Sequence, residues 1–297
     1  MGPVIPLSLC AYIQFALILA VLSAFQPTIA KAEIQVVDDM RTTLTLAVPA
    51  QRIISLAPHL TELLFSAGAG DKVVGVVSYS DYPAAATRIP IIGSYERFDL
   101  EQILALKPDL IVGWKSGNPQ AALAQIKQLG IPIYLTEPRN FADIASNLER
   151  IGTLAGTSTV SNAAAATFRQ EIAQLQIRYQ DSPKVTVFYQ VWKEPLMTFN
   201  GDHLFNQILQ VCGGRNLFVD LPRLASPIDL EAVLKADPEV LIVGESNRDW
   251  LSDWRRWSSL KAVKKARLHA LNQDVLVRPT LRIIEGVRQV CAVLQPQ

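Results

Sequence analysis

The sequence predicts an α/β protein of two similar lobes with mostly parallel sheets, joined by one long helix, with a ligand cleft between the lobes. Three observations carry this expectation. From residue 52 onward, short β-branched runs alternate with amphipathic stretches, the pattern of βα units around a parallel sheet. A long helical stripe free of glycine and proline separates two such series. A motif from the first series also returns in the second, 130 positions later.

The first series has strand patterns at Ile53–Leu56, Val73–Val77, Leu110–Val112 and Ile133–Leu135, with helices near 60–67, 99–106, 118–129 and 141–154. The second has strands near Val185–Tyr189, Val240–Val243 and Val275–Val277, with helices near 202–212, 229–235, 249–257 and 281–294. Between them, Ala165, Phe168, Ile172, Leu175 and Tyr179 recur at steps of three and four, one apolar stripe on a helix. Ser158, Thr159 and Ser161 suit its N-terminal region, where hydroxyls can cap free N–H groups, and Asp181-Ser182-Pro183 ends it. These patterns set the expected boundaries at 33–155 for the first lobe, 156–181 for the link and 182–297 for the second lobe.

The repeat pairs Asp99-Leu100-Glu101 and the following QILALKPDLIVG with Asp229-Leu230-Glu231 and the following AVLKADPEVLIVG. Pro108 and Pro238 each lie seven positions after the glutamate, and a buried strand ending in glycine follows. A weaker echo aligns His59-Leu60 with His203-Leu204. Two lobes of like topology are the economical reading.

The N-terminus is read as a targeting segment. Leu9 to Phe25 carries no charge, and Ala30-Lys31-Ala32 fits the small-x-small cleavage rule. Residues 1–32 are therefore expected to be a signal peptide cleaved after Ala32, with an uncleaved membrane anchor as the alternative. Cleavage would leave two cysteines, Cys212 and Cys291, either as one disulfide or as two buried thiols.

Composition narrows the function. The 297 residues hold 28 Lys and Arg against 27 Asp and Glu, so there is no electrostatic basis for nucleic-acid binding. Motifs for a serine hydrolase, a Walker A loop, a zinc protease and a C-x-x-C pair are all missing, which favours binding over catalysis. His59 and His203, at equivalent helix starts, could share a metal with added carboxylates; the plainer reading is two polar helix-start residues. That leaves an exported metal-dependent hydrolase as a minor alternative. Tyr79, Tyr82, Tyr95, Trp114 and Trp192 fall just after strand patterns, where α/β sheets place ligands, and flat, polar-tipped rings suit a large planar ligand with amide or hydroxyl edges. Each alone could equally be a rim or core aromatic. Trp250, Trp254 and Trp257, at helical spacing, read as packing residues.

The segments RIISLAPHLTELLFSAG, GVVSYSDYP, DLEQILALKPDLIVGWKSGN, QVCGGRNLF and LRIIEGVRQVC resemble the cobalamin-binding branch of the helix-linked periplasmic substrate-binding proteins, a class that also carries siderophores and haem. The resemblance spans about residues 50 to 295 and implies a monomeric periplasmic protein. It would capture a corrinoid such as vitamin B12 and pass it to the permease dimer of an inner-membrane ABC importer; a siderophore or haem carrier is the alternative within the class. Cobalt would travel inside the ligand, so no cofactor and no metal site of the protein's own is implied. The resemblance places ligand contacts on Tyr79, Tyr95, Trp114, Arg278 and Arg282, importer docking on Glu101 and Glu231, and a disulfide on Cys212 and Cys291; Trp192 joins the ligand contacts only through its place after a strand pattern, in a stretch (192–199) that does not align readily with the family. Two positions depart from the family pattern: Tyr95 and Ala225 both stand where tryptophan is usual.

Overall fold

The computed structural model describes residues 33–295, so the expected signal peptide lies outside the described residues. The described residues open with a hairpin, β1 (Ile34–Val37) and β2 (Thr43–Leu46). The first lobe follows as β3 (Ile53–Ser55), α1 (Pro58–Ser66), β4 (Val73–Gly75), the short hairpin β5 (Gly93–Ser94) and β6 (Arg97–Phe98), α2 (Leu100–Ala105), β7 (Leu110–Trp114), α3 (Gln120–Gln128), β8 (Ile133–Thr136) and α4 (Phe141–Ala155). The linking helix is α5 (Ser158–Tyr179). The second lobe comprises β9 (Val185–Gln190), β10 (Met197–Phe199), α6 (Phe205–Val211), β11 (Gly214–Asn216), β12 (Ala225–Pro227), α7 (Leu230–Ala236) and β13 (Val240–Gly244). It ends with α8 (Trp250–Arg255), α9 (Lys261–Lys264), β14 (Leu268–Leu271), α10 (Gln273–Val277) and α11 (Ile283–Leu294). No helix among the described residues is long and apolar enough to cross a membrane.

Each lobe carries a four-stranded parallel sheet, ordered β4-β3-β7-β8 in the first and β11-β9-β13-β14 in the second. In both, the second strand lies outside the first and the third lies on its other side. The repeated motif occupies equivalent places: α2 and β7 begin 130 positions before α7 and β13. Strand alternation divides the cores. Leu110 and Val112, like Val240 and Ile242, face one large core that runs through both lobes. Ile111 turns instead to a cluster private to the first lobe, and Leu241 to one private to the second.

The linking helix buries Ala165, Phe168, Ile172 and Leu175, so the apolar stripe is its packing face. Phe168 meets Phe141 of α4 edge-on, ring centroids 6.4 Å apart. The expected hydroxyl caps do not form: Thr157 takes the cap position without a side-chain bond, and the Ser161 hydroxyl turns back to the Ser158 carbonyl at 3.3 Å. The strand expected near Val275–Val277 is helical. The Asn272 side chain accepts from the Asp274 N–H at 3.0 Å and starts α10, a local cap that outweighs the β-branched pair. The fourth strand is β14 instead, whose LHAL carries no β-branched residue.

Candidate ligand cleft

The carboxyl ends of both sheets bring their loops to the junction of the lobes. In the first lobe, one side chain organises three of these loops. Asn118, almost fully buried, donates to the carbonyls of Leu56 (2.9 Å) and Tyr95 (3.0 Å) and accepts from the Trp114 N–H (2.7 Å). It thereby ties the chain after β3, the β5–β6 turn and the end of β7. An amide has both the donors and the acceptor such a junction needs. The Trp114 indole folds over Gly117, where a Cβ would stand 1.8 Å from the ring. Its other neighbour is His59, edge-on with centroids 5.1 Å apart.

Tyr79 is 73% exposed and sits in the left-handed region at φ 66°, uncommon for a bulky residue. Its neighbours hold it there: Ser78 donates from both its N–H (2.8 Å) and its hydroxyl (3.1 Å) to the Gly93 carbonyl. The Ser80 hydroxyl lies 3.0 Å from that of buried Thr61, which is also 2.9 Å from that of Ser55. A strained, solvent-facing ring on a fixed loop is the kind of outlier that marks function. Tyr95 is half-buried; burial raises its phenol pKa, with smaller contributions from Glu96 and Tyr79.

In the second lobe, Trp192 follows β9 and is exposed. Its indole N–H donates to the Glu194 carbonyl at 3.1 Å, and Trp250 meets it edge-on at 6.2 Å. Of the three tryptophans at helical spacing, Trp254 is buried and donates to Gln190 at 2.7 Å, whereas Trp250 and Trp257 are only partly buried.

Arg278 and Arg282 reach across to the first lobe. Glu62 of α1, 2% exposed, accepts from Arg278 Nη1 (2.9 Å), Arg282 Nε (2.9 Å) and Arg282 Nη2 (2.7 Å). Arg278 also contacts Asp81 (3.0 Å) and Asp274 (3.1 Å), and the Tyr82 ring covers the Arg282 guanidinium at 3.9 Å. Neither Glu62 nor Asn118 was singled out by sequence. A carboxylate between apolar neighbours in HLTELLF was the available signal for Glu62, and an amide two places before a helix, in GNPQ, that for Asn118.

A small cavity of about 40 Å³ lies where the lobes meet, lined by Trp114, Arg139, His203, Leu224, Val277 and Pro279 among others. His203 stacks on Phe199 at 3.4 Å and accepts from the Phe205 N–H through Nδ1 at 3.1 Å. Burial, assisted by Arg278 and Arg139 respectively, lowers both His59 and His203 to about 3. Both are therefore neutral at physiological pH. Among the described residues, no three His, Cys, Asp or Glu side chains group to hold a metal.

Glu101 and Glu231 are exposed in the first turns of α2 and α7, with no ion-pair partner among the described residues. Cys212 and Cys291 form a disulfide joining the end of α6 to α11, S–S 2.04 Å.

A profile of the family described as periplasmic binding protein matches residues 53–275. The vitamin B12-binding protein of Vibrio cholerae is 38% identical over 248 residues, 83% of this chain and 90% of its own length. That of Vibrio parahaemolyticus is 36% identical over 255 residues, 84% and 92% of the two chains. Among solved structures, the periplasmic vitamin B12 binding protein of Vibrio cholerae superposes with a TM-score of 0.79, over 83% of this chain and 97% of that one. A periplasmic haem-binding protein from Pseudomonas aeruginosa reaches 0.74 at 24% identity, covering 84% and 94%, a likeness of fold alone. With the family profile covering most of the chain and curated relatives at this identity, the chain belongs to the periplasmic binding protein family.

Proposed function

We propose that this protein captures cobalamin or a related corrinoid in the periplasm and delivers it to an inner-membrane ABC importer. The observation that carries the reading is the 38% identity, over 83% of the chain, to a protein that binds vitamin B12. The cleft chemistry supports it. Tyr79, Tyr95 and Trp114 offer ring faces from the first lobe and Trp192 from the second, and a broad, flat ligand needs such rigid faces on both sides. Arg278 and Arg282 border this surface and offer N–H groups to amide carbonyls. In this reading residues 33–155 and 182–297 are the capturing lobes, 156–181 the link and 1–32 the cleavable export signal. The protein works as a monomer and docks on a permease dimer through Glu101 and Glu231. The corrinoid is cargo rather than cofactor.

The test is a parallel titration of the mature protein with cyanocobalamin, cobinamide, haem and a ferric siderophore. Cyanocobalamin is expected to bind and to quench tryptophan fluorescence. Tighter binding of haem or of the siderophore would overturn the assignment.

A further inference from the structure

Arginines beside a ligand cleft ordinarily advertise an anionic ligand. Here their charge is spent inside the protein. Arg278 and Arg282 contact three carboxylates, Glu62, Asp81 and Asp274, so the cluster carries one formal negative charge. Two further cations near the cleft are also paired, and one, Lys115, has no ion-pair partner among the described residues. Arg139 pairs with Glu137 at 2.8 Å and Lys193 with Asp253 at 2.8 Å, while Lys115 donates to the neutral Gln120 at the rim. His59 and His203 bring no charge.

We infer that Glu62, Asp81 and Asp274 are specificity determinants: by neutralising Arg278 and Arg282, they bias the cleft against ring ligands bearing free carboxylates and toward an uncharged, amide-edged one. The inference rests on the corrinoid reading and deepens it. Its physical core is that the arginines cannot be recruited cheaply. Drawing either guanidinium toward a ligand carboxylate would strip partners from Glu62, which is buried and accepts three charged N–H groups; an uncompensated buried carboxylate is strongly unfavourable. Tyr82 over Arg282 closes one face of that guanidinium as well. Asp81 adds direct repulsion. It is exposed and lies two positions after Tyr79, so a ligand resting on the Tyr79 ring brings its edge toward a fixed anion. A carboxamide meets no such penalty, because its N–H can donate to Asp81 while its carbonyl accepts from an arginine. The cluster also spans the two lobes, so the same carboxylates that set the charge hold the cleft walls together.

The test compares cyanocobalamin with its three monocarboxylic acid derivatives, in which a single propionamide has become a propionate, so that ring, size and shape are held constant. For the wild-type protein, Asp81→Asn and Glu62→Gln, the readout is the ratio of amide to acid affinity at low and at high salt. The wild type is expected to prefer the amide over at least one acid by about fivefold or more, the upper scale of a solvent-exposed charge pair. Each substitution should reduce that preference, and salt should reduce it in the wild type. Comparing affinities within one variant cancels any general loss of the site. Should Glu62→Gln fail to fold, Asp81→Asn, at an exposed position, decides the matter. Equal affinity of the wild type for amide and acids, or a preference unchanged in the folded variants, overturns the inference while leaving the corrinoid function standing. Absence of cyanocobalamin binding by the wild type overturns that function and this inference with it.

Discussion

The two lobes share a scaffold but not a surface. Both sheets have the same strand order, both repeat units lie at the same shift, and the helices α1 and α6 run into glycines of nearly equal left-handed φ, 76° at Gly68 and 77° at Gly213. Their loop chemistry is nonetheless different. In the first lobe, Asn118 and the Ser55–Thr61–Ser80 hydroxyls fix loops whose aromatics point outward. In the second, Asn206 donates to the Asn200 carbonyl at 2.6 Å, and Asn216 donates to the Phe199 carbonyl at 2.9 Å and to Asn206 at 3.0 Å. That ladder holds rings that pack inward, Tyr189 against Phe199 and Phe205. Buried amides do the same job in each lobe, satisfying backbone groups that the turning chain would otherwise leave unpaired. What differs is what the amides hold: in the first lobe a loop that leaves Tyr79 exposed, in the second an inward-packed group of rings, with Trp192 the exposed one.

The largest test of this asymmetry is the disulfide, present in the second lobe alone among the described residues. Its 79-residue separation corresponds in the chain-entropy model to about 4.5 kcal/mol. Replacing Cys212 and Cys291 together by alanine should lower unfolding stability by that order in chemical denaturation. Amide exchange should show the loss in the second lobe first, with α1 and β3 still protected. Equal loosening of both lobes would mean that they unfold as one unit.

The next effect belongs to the first lobe. Trp114→Ala removes a ring seated between Gly117 and His59, and should cost about 2 kcal/mol of ligand affinity, roughly thirtyfold. Tyr79→Ala is expected to cost affinity as well, by removing an exposed ring face while the left-handed backbone stays as it is. Calorimetric titration would read both. If Trp192→Ala outweighs Trp114→Ala, the greater share of the binding surface belongs to the second lobe.

Much of the scaffold was legible because it is written locally. The D-L-E start, the proline and the buried strand recur within fifteen residues, and the α5 stripe is a simple periodicity. The cleft aromatics were legible as types after strands. What escaped notice depends on distance. Glu62 meets partners 216 and 220 positions away, and no window of sequence announces that encounter. Asn118 closes to Leu56 across 62 positions. β14 escaped for a local reason, since a half-buried edge strand reading LHAL has no β-branched signature, and the two-residue strands β5 and β6 are held by a turn rather than by their own propensity.

A smaller effect compares one histidine from each lobe, His59 buried and His203 partly so. Folding depresses both His59 and His203 from their ordinary value to about 3, so between pH 6.5 and 3 the unfolded chain binds the protons that the folded chain refuses. Their contribution is therefore complete above pH 6.5 and is lost as pH falls toward 3. Between pH 6 and 5 each should account for about 1 kcal/mol, with less from His203, which is partly exposed. Denaturation midpoints measured across that range for His59→Gln and His203→Gln should show a flatter acid slope than the wild type. An unchanged slope in both would mean that the titrating groups lie elsewhere.

The least perturbing change to the isolated protein should have the most selective consequence. Glu101 and Glu231 sit in the first turns of equivalent helices, where a carboxylate complements the positive helix end by about 0.5 kcal/mol. If that is all they do, Glu101→Arg and Glu231→Arg should soften each lobe slightly and equally, and uptake should follow stability. The proposed docking role predicts otherwise. A permease dimer has two related halves, and a repeat that places one exposed anion on each lobe offers one contact to each half through charge-assisted hydrogen bonds. The double substitution should then leave ligand affinity near the wild-type value and lower the thermal transition by no more than a few degrees, while reconstituted uptake collapses; each single substitution should lose part of it. In this one respect the lobes should act as equals. Intact uptake by the folded double variant would remove docking from both glutamates, and a loss confined to one of them would show that the asymmetry of the cleft extends to the importer-facing surface.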